Sequence, residues 1–220
     1  MLHQDILFFL ADLKGNNHKP WFDENRKRYE AIRKQLIESV EELIQEIQLY
    51  DSQIADVNPS KTLFRINRDI RFSKDKSPYK INMGAHIASK SGKDVGQVGY
   101  YLHIEPESCF LGGGIYMPQP ETLKKMREYV AENGSELRKI ISAPDFIQNF
   151  GELKGEKLKS SPKGYEKDHT FADLLAMKDM YVLHKIADHD LLSEDFIAKA
   201  GKIFQALYPL NRFLREAVSE

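Results

Sequence analysis

A chain of 220 residues, 41% hydrophobic and 30% charged, carries enough apolar material for one substantial core or two small ones, which excludes extended disorder. A formal net charge of -1 means the whole molecule is no magnet for polyanions. The single cysteine, Cys109, rules out an internal disulfide and suits a reducing compartment.

The first element is "QDILFFLADL", with Ile6, Leu7, Leu10 and Leu13 at helical spacing and Gly15 where a C-terminal cap belongs. "ILFFLA" is too short for a secretory core, follows Asp5 and lacks a basic flank. No apolar run approaches the ~20 residues needed to cross a bilayer. The expectation is a cytoplasmic protein with no membrane partner. Pro20 suits the first turn of a second helix, predicted to run to about Gln48 on the stripe Ile32, Leu36, Val40, Leu43 and Ile47. Asn58-Pro59 breaks the pattern.

After the break the period becomes two. Phe64, Ile66, Ile70 and Phe72 predict one strand; Ile81, Met83, Ala85 and Ile87 a second; Val98, Tyr100, Leu102 and Ile104 a third. "ASKSGKDVGQ" is a loop and "SCFLGGGIY" a further strand, its glycines marking a bulge or close backbone approach. Helical spacing returns at Leu123, Met126 and Val130, with Gly134 expected to close that helix. Shorter helices follow at "SELRKIIS" and "PDFIQNF". An irregular stretch through "SSPKGYEKDH" comes next, then a helix at "FADLLAMKD", a strand at "MYVLHKI", and a closing helix kinked or ended by Pro209. The class is α+β: an antiparallel meander with helices packed mainly on one face, in a single domain spanning residues 1–220. Within it, helices occupy about 3–50, the sheet about 61–117, and a mostly helical part about 118–220.

Charge is concentrated in one place. From Lys61 to Lys80 there are seven basic and two acidic residues, whereas the rest of the chain has 25 basic and 31 acidic. The strand parity opposite the apolar one carries Arg65, Asn67, Asp69 and Arg71, then Lys80, Asn82 and His86, then Tyr101, His103 and Glu105. These side chains belong to one wet sheet face if the alternation holds. Arg68 falls on the apolar parity, where a guanidinium needs a carboxylate or a bound anion. Two readings compete: an anion site built on Arg65, Arg68, Arg71, Lys80 and Tyr101, or an ion-pair network using Asp69 and Asp75. His86, His103 and Glu105 are the candidates for proton transfer. They form no recognised metal signature, so no metal is expected. The chain lacks phosphate-loop and dinucleotide fingerprints, so no cofactor is expected. Cys109, on an apolar parity, reads as a buried thiol rather than a nucleophile.

The segments "FLADLKGNNHKPWFDENRKRYE", "FRINRDIRFSKDKSPYK", "GYYLHIEPESCFLGGGIYMP" and "SPKGYEKDH" together resemble the family catalogued as domain of unknown function 2461. The run from Arg68 to Lys80 is the most specific part of the likeness. The resemblance implies one domain over nearly the whole chain and brings no activity with it. From the residues themselves, the expected function is binding of a small phosphate- or carboxylate-bearing ligand on the polar sheet face, with chemistry left open. The alternatives are a nucleic-acid-binding module, with Tyr101 or Tyr79 stacking on bases, and a structural protein whose basic segment is an ion-pair network.

Overall fold

The stripe Ile6, Leu10 and Leu13 winds into helix α1 (Asp5–Gly15) and is buried, in a computed structural model that describes residues 2–89 and 96–219. Pro20 sits in the first turn of α2 (Lys19–Glu24), and the His18 ring accepts the Trp21 N–H at 3.4 Å. The single long helix expected from Pro20 to Gln48 is instead interrupted at Asn25. The side-chain amide of Asn25 donates to Trp21 O at 3.0 Å, closing α2. Helix α3 (Arg26–Gln48) starts afresh and buries the predicted stripe from Ile32 to Ile47. Packed on α3 are α1, α2, a 3-10 turn (Ser52–Ile54) and α4 (Pro59–Thr62).

Four strands form an antiparallel meander in the order β1 (Met83–Ala88), β2 (Gly99–Ile104), β3 (Phe110–Ile115) and β4 (Met180–Lys185). Met83, Val98, Tyr100 and Leu102 are buried as the alternation predicts, and Tyr100 meets the Phe204 ring edge-on at 5.1 Å. Ile81 is only half-buried, short of expectation. The predicted wet face also fails at β1, where every position is buried and His86 is only 7% exposed. Most of residues 88–97, the expected loop, lies outside the described residues.

The larger correction concerns Phe64 to Phe72. This is not a strand: among the described residues its strand-type pairing is limited to the isolated bridges Leu63↔Ala85 and Asn67↔Tyr79, and Phe72 is 96% exposed. Side chains here compete for the backbone. Asp69 Oδ1 accepts the Arg71 N–H at 3.2 Å and Asp75 Oδ1 the Ser77 N–H at 2.9 Å, favouring turns over a ladder.

Helix α5 (Pro120–Ile141) runs through Gly134 instead of ending there and absorbs "SELRKII". A Cβ at Gly134 would meet the Phe171 ring at 2.5 Å, so this glycine serves close packing, not termination. In β3, Gly114 has φ +101° and lies against Met180 O, the close backbone approach expected of the glycine run. Helix α6 (Pro144–Phe150) falls as predicted; α7 (Ala172–Leu175) is shorter than "FADLLAMKD"; α8 (Asp188–Leu191) was not foreseen. Helix α9 (Phe196–Val218) continues through Pro209. An interior proline costs ~3 kcal/mol. Beyond it, however, Leu210, Phe213 and Leu214 are wholly buried, each gaining ~1.5–3 kcal/mol. Buried Asn211 also donates to Gly99 O at 3.1 Å. Packing outweighs the missing bond.

Contacts group the chain into two compact units. One comprises Met1–Lys93, Tyr101–Leu111 and Lys185–Lys202; the other Asp94–Tyr100, Gly112–His184 and Ile203–Glu220. Every candidate site residue belongs to the first.

Candidate functional site

The basic segment is a folded-back loop. Arg68 N donates to Pro78 O at 2.9 Å and Lys80 N to Ile66 O at 2.7 Å, setting Asn67 opposite Tyr79. In that antiparallel arrangement the N–H and C=O of Tyr79 point away from Asn67. Asn17, just after α1, takes both: its Oδ1 accepts the Tyr79 N–H and its Nδ2 donates to Tyr79 O, each at 3.0 Å. One side-chain amide thus does the work of a neighbouring strand. Phe22 of α2 stacks on the buried Tyr79 ring at 4.0 Å.

This arrangement leaves a cleft of about 420 Å³ between the end of α1 and the segment from Arg68 to Asn82. Lys14, Arg68 and Lys80 bring three cations to it, against the single carboxylate of Asp75. The Arg68 side chain, on the apolar parity, is 27% exposed and so half-buried. It pairs with Asp75 through Nη1, which also approaches Ser77 O at 3.3 Å, while Nη2 reaches Ser73 Oγ at 3.4 Å. The Asp75 carboxyl is held far below the usual carboxylate range, first by the hydroxyl and N–H of Ser77 and then by Arg68. Asn82 and the half-buried Ile81 complete the wall.

The arginines do not act together. Arg65 is exposed, and Arg71, with its side chain 76% exposed, is held by Asp69 at 3.0 and 2.6 Å. Neither lines the cleft. Lys80 does, and its ammonium also sits 5.2 Å from the centre of the Phe64 ring.

A second constellation lies along β2. Tyr101 Oη is 3.0 Å from His103 Nδ1, and His103 Nε2 is 3.2 Å from Glu105 Oε2. Residues two apart on a strand share a face, so the predicted parity brings these three together. With its proton on Nε2, His103 donates to Glu105 and accepts the Tyr101 hydroxyl. Phe110 stacks on His103 at 4.5 Å, and Phe64 meets Tyr101 edge-on at 6.0 Å. Gly84 makes room for the phenol, since a Cβ there would stand 2.4 Å from Tyr101 Oη. Burial pushes Tyr101 up to about 12. Burial also draws His103 below its ordinary value, with Glu105 opposing the shift. His86, on β1, is buried as well. None of the three relay residues lines the cleft; Phe64, touching Tyr101 and Lys80, stands between the two.

Lys14, Asn17 and Ser77 were missed from sequence. For Asn17, nothing local in the sequence foretells a partner 62 positions away. Among the described residues, no group of three or more His, Cys, Asp or Glu could hold a metal ion, and no helix is long and apolar enough to cross a membrane.

The model of the family described as "Conserved hypothetical protein (DUF2461)" matches residues 5–213. The chain belongs to that family, and the resemblance of its four segments is thereby accounted for. No curated protein and no solved structure matches it.

Proposed function

We propose that the chain binds a small phosphate- or carboxylate-bearing anion in the cleft beside α1. The observation that carries this is the convergence of Lys14, Arg68 and Lys80, from separate parts of the chain, on one concavity with Asp75 as its only carboxylate among the described residues. A volume of about 420 Å³ suits a small ligand. Asp75 and Ser73 hold the Arg68 fork in one plane, and a planar fork can meet a carboxylate or phosphate at two points. A purely structural Arg68–Asp75 pair requires neither Lys14 nor Lys80 in the same cleft. The relay on β2 is a separate resource. A neutral, oriented His103 suits proton transfer, but the anion site stands without it.

Thermal melts in phosphate, sulfate or citrate, against chloride at equal ionic strength, test the reading. Ligand at a hundred times its Kd stabilises by ~2.7 kcal/mol, which raises Tm by roughly 5–10 °C in a chain of this size. Arg68→Ala and Lys80→Ala should fold and lose that rise. A wild-type melt indifferent to all three anions refutes the proposal.

A further inference from the structure

The loop that walls the cleft carries one feature the anion site does not use. Phe72 is 96% exposed, the most exposed large hydrophobic side chain among the described residues. It is not on a slack segment. Ser73 N donates to Ile70 O at 3.4 Å, Lys76 Nζ to Ile70 O at 2.9 Å, and the Arg71 fork grips Asp69. The Arg71 guanidinium lies over the Phe72 ring at 5.8 Å. The other ring face is left open. Ser73, next in sequence, accepts from Arg68 at 3.4 Å, which ties the turn that bears this ring to a residue of the cleft wall. In the same segment Arg65, Arg71, Lys74 and Lys76 are exposed, outnumbering Asp69 and Asp75. A braced loop offering an aromatic face and a cation loses little entropy on binding.

We propose, resting on the cleft reading above, that the ligand carries a nucleobase as well as a phosphate. The phosphate sits among Lys14, Arg68 and Lys80, and the base stacks on the open face of Phe72. A free nucleotide and a nucleotide within a single strand share this chemistry. Tyr79 and Tyr101, the stacking residues expected from sequence, are unsuited: Tyr79 is buried under Phe22, and Tyr101 is hydrogen-bonded within the relay. A bilayer is a poorer fit, because Phe72 is the loop's only fully exposed apolar side chain.

The test compares ribose 5-phosphate, adenosine 5′-monophosphate and short single-stranded RNA and DNA by calorimetry, using wild type, Phe72→Ala and Phe72→Trp. Base–aromatic stacking is worth ~5- to 150-fold in affinity per base. Wild type should therefore bind the nucleotide at least ~5-fold tighter than ribose 5-phosphate. Phe72→Ala should erase that preference without changing ribose 5-phosphate binding, and Phe72→Trp should restore it. Oligonucleotides bound more tightly than the mononucleotide, with steep salt dependence, would identify a strand as the source; equal affinity would identify the free nucleotide. Equal binding of nucleotide and sugar phosphate overturns the base contact while leaving the anion site intact. No binding of any phosphate compound overturns both. Phe72-dependent binding to vesicles of phosphatidylserine and phosphatidylcholine, without nucleotide binding, assigns the loop to a membrane surface and also overturns the inference.

Discussion

Replacing Asn17 with alanine removes both hydrogen bonds to the backbone of Tyr79 at once. Each is a neutral bond worth ~0.5–1.5 kcal/mol net, and a buried backbone group left without a partner costs ~1–3 kcal/mol. Tyr79 is only 6% exposed, which argues for the upper range, but the adjoining cleft admits water to the stranded groups. The expected loss is ~2 kcal/mol, or a fall of roughly 4–8 °C in Tm. Urea unfolding gives the cleanest measurement, as a lower midpoint at unchanged slope. Asn17→Asp should cost about as much, because it keeps the acceptor for Tyr79 N–H but sets a carboxylate against Tyr79 O. Asn16→Ala is the control. Its amide only donates to Asp12 O on the exposed end of α1, and the change should stay within ~0.5 kcal/mol. A loss below ~0.5 kcal/mol for Asn17→Ala would mean that water replaces the amide freely and that the Asn17–Tyr79 clamp does not hold the loop.

Other outcomes follow from the same geometry. Gly84→Ala should destabilise by ~1–3 kcal/mol, because its Cβ would strike a phenol confined by Phe64 and Phe110; a thermal melt reads this directly. His103 has a folded-state value below its unfolded one, so the unfolded chain takes the proton first as pH falls. Its contribution is therefore intact above about pH 6.5 and is lost as pH drops from there towards the folded value. Urea midpoints between about pH 7 and pH 5 should fall more steeply for wild type than for His103→Gln, and parallel curves would contradict the assignment. Cys109 is 2% exposed and burial pushes its thiol up to about 12, so it should resist a disulfide reagent at neutral pH until the chain is unfolded. Rapid labelling of the native protein would show that the thiol is reached from solvent.

Local periodicity by itself determined a good part of this protein. The stripes of α1 and α3 are buried as spaced, four of the expected strands pair as a meander, and the parity of β2 aligns Tyr101, His103 and Glu105. Spacing along one element dictates which side chains share a face, whatever lies elsewhere. What covers that face is a different matter. Alternation from Phe64 to Phe72 read as a strand, yet the Asp69 and Asp75 side chains captured the backbone and left Phe72 in solvent. Alternation in β1 implied a wet face, yet His86 is buried there. Pro209 implied a break, yet Leu210, Phe213 and Leu214 find enough burial to carry α9 past it. The cleft belongs wholly to tertiary structure. Lys14 and Asn17 reach Arg68, Tyr79 and Lys80 only because the chain folds back over some sixty residues. No window of sequence records a hydrogen bond between an amide and a backbone 62 positions apart, because its stability depends on packing that forms only when the whole unit does.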